Sequence, residues 1–175
     1  MQQQRKKSFI REWVVPLAVA VLLSVLVQTY VAQAVKVPTG SMEPNIEIND
    51  RLIMEKLVPL TNWQRGDIVV FNHDADGKGV VRYVKRLIGL PGDTIEVRDG
   101  VLFRNEEKVD EPYVKQAMSY RFGPVQVPED SYFFMGDNRN DSYDGHLWPN
   151  RFVPKSELVG KIIFRYYPFN QAGTL

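Results

Sequence analysis

The chain has 175 residues, 44% of them hydrophobic and 25% charged, with a formal net charge of +1. This length predicts one folded domain with an appendage. Residues 1–12 carry four basic side chains and one acidic, and the rest of the chain carries 18 basic and 20 acidic. Residues 13–175 thus have no excess of basic charge, which argues against nucleic acid as a partner. The absence of cysteine excludes disulfides, thiol nucleophiles and thiolate metal sites.

The first predicted element is a membrane helix over residues 13–35, which contain no charge. As a helix these residues span about 34 Å, enough to cross the hydrocarbon core of a bilayer. Trp13 and Tyr30 lie near its two ends, where interfacial aromatic rings are favoured. The basic residues of 1–12 predict a cytoplasmic tail and place residues 36–175 on the outer side of the plasma membrane.

The triplet Ala32-Gln33-Ala34 leaves open a cleavable signal peptide, because it has the small-x-small form of a cleavage site. Signal peptides usually have an apolar core of only about 7–15 residues, which favours an uncleaved anchor. A slow cut after Ala34 between two molecules stays open. An extended link of about 20–25 Å joins Ala34 to Ser41, so we expect Ser41 close to the outer membrane surface.

Beyond Lys36 the predicted elements are β-strands, because short runs rich in Val, Ile and aromatic residues have Gly or Asp at their borders. We expect strands at 51–55, 67–72, 80–90, 94–98, 101–104, 131–135 and 161–169. Asp99-Gly100 is a strong hairpin signal between two of them. A short helical turn is expected at 154–158, and 112–128 forms either a loop or a small β excursion. The predicted fold class is mainly β, with one N-terminal transmembrane helix followed by an all-β domain.

The segment 37–44 reads Val-Pro-Thr-Gly-Ser-Met-Glu-Pro and is the first candidate for chemistry. Pro38 and Pro44 restrict the backbone on both sides, and Gly40 relaxes it between them. This combination holds the Ser41 hydroxyl in a set place at the end of an extended segment. An ordinary Pro/Gly turn is the alternative.

Attack by a serine hydroxyl requires a base, and the candidates are the histidines His73 and His146 or a lysine. His73 lies in a polar stretch and is expected to be solvated. Lys85 shares one face of its predicted strand with Tyr83 and Leu87. Desolvation there lowers a lysine pKa from about 10.4 towards the value of about 7–8 that a base needs. A lysine that snorkels from an edge strand is the alternative.

The polar stretch 136–145 reads Gly-Asp-Asn-Arg-Asn-Asp-Ser-Tyr-Asp-Gly and has the composition of a solvated turn. A calcium loop is not expected, because Arg139 stands where the EF-hand pattern requires an oxygen ligand. The sequence has no zinc-peptidase motif and no phosphate-cradling loop. It therefore predicts neither a metal nor a cofactor.

Taken together, these segments resemble type I signal peptidase, the membrane-bound serine–lysine endopeptidase that removes signal peptides from exported preproteins. The resemblance runs from the transmembrane segment to about Gly160 and is specific in the order and spacing of its boxes. The matching boxes are 38–44, 66–71, 83–86 with 89–93, and 136–139 continuing to Ser142. It implies an all-β peptidase domain of the signal peptidase type, no cofactor, and secretory signal peptides and the lipid bilayer as partners.

The resemblance also implies roles for individual residues. Ser41 is implied as the nucleophile and Lys85 as the general base. Thr39 is implied as an oxyanion donor and Ser142 as the residue that orients the lysine. Val37, Met42, Ile46 and Val84 are implied in binding the substrate, and Asp144 and Arg86 in structural support.

His146 departs from the family, which usually has an arginine there that pairs with the acid matched by Asp144. Arg151 is the alternative partner for Asp144. Two other functions stay open. Self-cleaving repressors share a serine–lysine β fold but carry a DNA-binding domain in place of a membrane helix. A non-catalytic membrane-anchored β module that binds export partners would give Ser41 and Lys85 no special role.

Overall fold

The computed structural model describes residues 9–175, so most of the predicted cytoplasmic tail lies outside the described residues. The described chain begins with an exposed apolar helix, in which a π-helical turn, Ile10–Val14, runs into α1, Val15–Tyr30. Neither part has a buried residue. The 21 residues from Ile10 to Tyr30 are long and apolar enough to cross a membrane.

The helix ends at Tyr30, five residues before the end of the predicted 13–35 span. Ala32–Lys36 is instead a strand, β1, which pairs antiparallel with β2, Arg51–Glu55. The prediction of helix for residues 31–35 was therefore wrong. The segment is uncharged like the helix before it, and only backbone pairing with a strand distant in the chain makes it extended.

The remaining strands alternate with short turns and loops. They are β3 (Ile68–His73), β4 (Val81–Gly89), β5 (Thr94–Arg98), β6 (Val101–Arg104), β7 (Glu107–Lys108), β8 (Phe122–Gln126), β9 (Ser131–Met135), β10 (Phe152–Pro154), β11 (Leu158–Tyr167) and β12 (Gly173–Thr174). The predicted mainly β fold behind one N-terminal helix is confirmed. β2, β5, β6 and β9 have the predicted bounds, and β3, β4 and β11 are displaced by one to three residues at an end.

Two local predictions are also confirmed. Asp99 and Gly100 both have positive φ, 51° and 80°, as a two-residue turn of type I′ between β5 and β6 requires. The short helical turn is Lys155–Glu157. Within 112–128 the small β excursion is the correct alternative, because β8 pairs with β5.

The strands form two antiparallel sheets. The larger has the order β1-β2-β11-β3-β4-β9-β10, with β12 added to β11, and the smaller has the order β7-β6-β5-β8. β4 crosses the middle of the large sheet, where β3 pairs with it from Val81 to Arg86. β9 pairs with it only from Arg86 onward in the described part of the chain, so the first half of β4 has an open edge.

The large sheet buries a different hydrophobic cluster on each side of β4. One contains Phe71, Leu87, Phe134 and Trp148, and Tyr83 packs against it. The other contains Val37, Met42 and Ile46 from the loop after β1, and Val84 packs against it. Because neighbouring strand residues point to opposite faces, Tyr83 and Val84 extend into different clusters. The chain segment around Ser41 is thereby held against β4.

Candidate active site

A cleft of about 360 Å³ opens between the loop after β1 and the first half of β4. Ser41 lines it from the loop and Lys85 lines it from the strand. Apolar side chains make up most of its wall. The fold thus brings two residues that are 44 positions apart in the chain to one cavity.

The loop that carries Ser41 is held at both ends. Val37 continues the course of β1, since its N–H donates to the carbonyl of Asp50 at 3.0 Å and its own carbonyl accepts from the N–H of Asn49 at 2.9 Å. The Ser41 carbonyl accepts a hydrogen bond of 3.1 Å from the N–H of Asn138. The Thr39 hydroxyl oxygen lies 3.5 Å from the Ser41 Oγ, so two hydroxyl groups face the cleft together.

Lys85 is almost completely buried, with 3% of its surface exposed. Its Nζ donates a hydrogen bond of 2.9 Å to the Oγ of Ser142. Burial lowers the pKa of Lys85 from 10.5 to about 8, although the charges of Asp144 and Asp137 oppose this by raising it. At pH 7 about a tenth of this amine is therefore without its proton and able to accept one, far more than for an exposed lysine.

Gly136 is the point at which three parts of the site meet. A Cβ atom placed there would lie within van der Waals radii of both the Ser142 Oγ and the Ser41 carbonyl oxygen, so only glycine fits. Its N–H donates to the Asp144 carboxylate at 2.8 Å. Asp144 is fully buried, and this bond joins it to the backbone of Gly136, which lies next to both the Ser41 carbonyl and the Ser142 hydroxyl. The polar stretch 136–145 is thus only in part the solvated turn that its composition indicates. Asn140, Asp141 and Tyr143 are exposed, whereas Asp137, Ser142 and Asp144 are buried and support the site.

His146 occupies the place expected of an arginine and does pair with Asp144. Its Nδ1 lies 2.7 Å from a carboxylate oxygen, and its ring stacks on Tyr120 with centroids 4.1 Å apart. Arg151, the alternative partner, instead lies over the ring of Phe122 at 5.6 Å. The brace on Asp144 is therefore provided by the histidine.

Arg86 connects the same region to the rest of the sheet. It forms two hydrogen bonds with the carboxylate of Asp137, of 2.7 and 2.6 Å, and a third with the carbonyl of Gly66. Its guanidinium lies 4.0 Å above the centre of the Tyr113 ring. Asn45, close to the Ser41 loop, also donates to Asp137 at 3.0 Å. A buried carboxylate thus holds β4, the serine loop and the 136–145 stretch in one arrangement.

The residues predicted to bind the substrate separate into two groups. Val37, Met42 and Val84 line the cleft. Ile46 is fully buried in the hydrophobic cluster with Val37 and Met42 and supports the wall from behind. The cleft is therefore apolar beside Ser41 and closed underneath by well-packed side chains.

Sequence reasoning missed three polar supports of the cleft. Asn138 and Asn45 join the Ser41 loop to the 136–145 stretch, and Tyr143 lines the cleft wall. Asn138 and Tyr143 lie in the polar stretch that was singled out, but its composition alone did not distinguish buried from solvated positions. Asn45 follows Pro44 directly and has no pattern in the sequence that indicates its partner.

His73 was wrongly predicted to be solvated. It is 3% exposed, and its two ring nitrogens lie 2.6 Å from the carboxylate of Glu157 and 2.6 Å from the carbonyl of Asn150. β3 extends to His73 and places it beneath residues 150–157. The polar residues around His73 in the sequence do not indicate this contact. Among residues 9–175 no group of three or more His, Cys, Asp or Glu side chains could hold a metal ion.

Comparisons with known proteins show the family to which the chain belongs. The profile of the family described as signal peptidase, peptidase S26, matches residues 10–167. The probable signal peptidase I-2 of Synechocystis sp. is 43% identical over 89% of this chain and 72% of that protein. Signal peptidase I of Leptolyngbya laminosa is 37% identical over 99% of this chain and 87% of that protein. Signal peptidase I S of Bacillus subtilis is 39% identical over 95% and 94%. The family resemblance predicted from sequence is confirmed, and the chain belongs to the signal peptidase family, peptidase S26.

Proposed function

We propose that this chain is a membrane-anchored signal peptidase that cleaves exported preproteins by acyl transfer to Ser41, with neutral Lys85 as the general base. Membership of the family supports the general assignment, a serine peptidase that removes signal peptides. The observation that supports the serine–lysine mechanism is the buried Lys85, whose pKa is lowered to about 8 and which lines the same cleft as Ser41.

In the first step the Ser41 Oγ attacks the scissile carbonyl carbon and its proton passes to the Lys85 Nζ. Ser142 accepts a hydrogen bond from that nitrogen, which fixes the direction of its lone pair. The developing oxyanion is stabilised by the Thr39 hydroxyl and the Ser41 backbone N–H. Lys85 then gives the proton to the leaving amine, and the mature protein departs.

In the second step a water molecule takes the place of the amine. Lys85, neutral again, removes a proton from this water as it attacks the acyl-serine ester. The signal peptide leaves with a new carboxyl end, and the proton returns from Lys85 to the Ser41 oxygen. No metal or cofactor takes part in either step.

Substrate selection follows from the cleft. Val37, Met42 and Val84 offer a shallow apolar wall beside Ser41, which suits alanine and excludes larger side chains by steric clash. The open edge of β4 supports binding of an extended peptide as an added strand. We therefore expect cuts after small-x-small sequences.

The apolar helix supports a single-pass anchor, and the basic residues before it favour a cytoplasmic N-terminus. Residues 36–175 would then work on the outer side of the plasma membrane. The chain's own Ala32-Gln33-Ala34 lies in β1, paired with β2. A segment already held in the sheet cannot enter the cleft as an extended substrate, so we expect no product that begins at Val35.

The test is cleavage of a purified preprotein with one Ala-x-Ala site by the full chain in detergent. Ser41→Ala should fold and lose all turnover, whereas Ser156→Ala, at an exposed position of the 155–157 turn, should cleave normally. Lys85→Arg should be as inactive as Lys85→Ala, because a guanidinium does not lose its proton. EDTA should leave the rate unchanged. Normal turnover by Ser41→Ala would reject the mechanism and favour the non-catalytic binding module.

A further inference from the structure

Asp141 brings a carboxylate without a partner into the cleft. The residue is exposed and lines the cleft together with two cationic residues. Of these, Lys85 donates to Ser142, and the Nε of Arg82 donates to the side-chain oxygen of Asn72 at 3.0 Å. No donor in the described part of the chain contacts the Asp141 carboxylate. This carboxylate is therefore free to bind a group from outside the chain.

The loop that carries Asp141 is fixed by hydrogen bonds on both sides. The N–H of Asp141 donates to the carbonyl of Asn138 at 3.0 Å, and the N–H of Asn138 donates to the carbonyl of Ser41 at 3.1 Å. The side chain of Asn140 forms hydrogen bonds of 2.8 and 3.0 Å with the backbone of residues 117–119. Because the loop is already ordered, its backbone loses little conformational freedom when the carboxylate binds a ligand.

Neither the general base nor the fold accounts for this carboxylate. The carboxylates that raise the pKa of Lys85 are the buried Asp144 and Asp137, and Asp141 is not among them. Both buried acids also hold neighbouring elements through hydrogen bonds, whereas the side chain of Asp141 holds no other described residue. An exposed acid remote from the cleft would contribute only to solubility, but this one lies in the same cavity as Ser41.

The course of the substrate leads over the 136–143 loop. In the described chain β4 has an open edge up to Lys85, and from Arg86 onward β9 pairs with it and then continues into this loop. The loop therefore stands at the end of the open edge. Under the proposed function, the residues before the cut lie along that edge and against the apolar wall. The residues after the cut must then pass Ser41 and leave over the loop.

We propose that Asp141 is a specificity-determining residue that favours positive charge in the first two residues after the cut, the start of the released protein. The inference rests on the proposed function. A Lys or Arg side chain at these positions can pair with the carboxylate, whereas an Asp or Glu side chain is repelled by it. Tyr143 also lines the cleft and is 47% exposed, so it offers an aromatic face to the same cation.

The expected preference is modest and depends on salt. An exposed ion pair changes an equilibrium by at most about fivefold, and a like-charge pair acts in the opposite direction by a similar factor. A basic and an acidic substrate should therefore differ by about tenfold in kcat/KM at low salt. At about 1 M salt the Debye length is only about 3 Å, so this difference should mostly disappear. The selection of alanine before the cut depends on apolar contacts and should remain.

Three peptides test this preference with the full chain in detergent. They share one Ala-Gln-Ala site and differ only in the two residues after it, which are Gln-Gln, Lys-Lys or Asp-Asp. Each variant is judged by its ratio of kcat/KM for the Lys-Lys and Asp-Asp peptides, so a general change in activity cancels. Asp141→Asn removes the charge and Asp141→Lys reverses it. Asp130→Asn is the matched control, because Asp130 is also exposed but lies before β9 and outside the cleft.

We expect a ratio of about ten for the unchanged chain and for Asp130→Asn, about one for Asp141→Asn, and below about one for Asp141→Lys. The midpoint of the pH–rate profile with the Gln-Gln peptide should be the same for the unchanged chain and Asp141→Asn. A ratio that Asp141→Asn leaves unchanged, or that salt does not reduce, would overturn the proposal. So would a shifted midpoint, since Asp141 would then act on Lys85 and not on the substrate.

Failure of this inference is distinct from failure of the proposed function. If the unchanged chain cleaves all three peptides at equal rates, the peptidase mechanism stands and the role of Asp141 is rejected. If it cleaves none of them, the proposed function is rejected and this inference with it. The salt dependence requires no variant, so it decides the question even if Asp141→Asn does not fold.

Discussion

Replacing Lys85 by methionine should abolish cleavage and yet stabilise the folded protein at neutral pH. Burial lowers the pKa of Lys85 from 10.5 to about 8. Since one pKa unit corresponds to about 1.4 kcal/mol, carrying this lysine charged in the folded state costs roughly 3 kcal/mol at pH 7. Loss of the hydrogen bond to Ser142 offsets about 1 kcal/mol. The variant should therefore gain about 2 kcal/mol in free energy of unfolding.

The sign of the pH dependence follows from the direction of the shift. The folded-state pKa is the lower one, so between about pH 8 and 10.5 the unfolded chain binds more protons than the folded chain. The stability of the unchanged protein rises with pH through that window, and the advantage of Lys85→Met should shrink and disappear.

Thermal unfolding of the full chain in detergent from pH 6.5 to 10.5 measures this difference. Lys155→Met, at an exposed position, is the control and should show no pH-dependent gain. A Lys85→Met variant that is less stable at pH 7, or a gain independent of pH, would refute the reasoning that burial destabilises the charged amine.

The same pKa predicts the pH dependence of cleavage. The neutral fraction of an amine with a pKa of about 8 rises about tenfold from pH 7 to 9 and then reaches a plateau. An exposed lysine would give a rate that still climbs about tenfold per pH unit at pH 9. A rate without a plateau above about pH 9.5 would contradict the assignment of Lys85 as a desolvated base.

Three further predictions concern the surroundings of the cleft. Thr39→Val should lower kcat by about 10²–10³, because it removes an oxyanion donor, while Thr39→Ser should stay active; equal rates for valine and threonine would place the oxyanion hole elsewhere. His146→Arg should move the midpoint of the pH–rate profile to lower pH, because a permanent cation beside Asp144 offsets the negative charge that raises the pKa of Lys85. An unchanged midpoint would show that the charge at Asp144 does not influence the pKa of Lys85. Arg86→Met should lower the free energy of unfolding by about 3–5 kcal/mol, because it leaves the buried Asp137 carboxylate without its ion pair; a melting temperature close to that of the unchanged chain would contradict this role.

The sequence by itself determined the features that depend on short-range chemistry. An uncharged run long enough for a bilayer predicts a membrane helix in any context. Asp99-Gly100 predicts a type I′ turn, because few other residue pairs tolerate positive φ at both positions. Alternation along β4 correctly placed Lys85 between Tyr83 and Leu87, on the face that is desolvated. The order of the boxes indicated the family before any fold was known.

Only the tertiary structure decided where the helix ends and which polar groups are buried. Residues 31–35 are uncharged like α1, and pairing with Arg51–Glu55 makes Ala32–Lys36 a strand. The 136–145 stretch has the composition of a surface turn, yet Asp137 is buried there and takes hydrogen bonds from Arg86 and Asn45. Such partners lie far apart in the chain or on other elements. Burial of a charge depends on those partners and not on the residue type, so no local pattern reveals it.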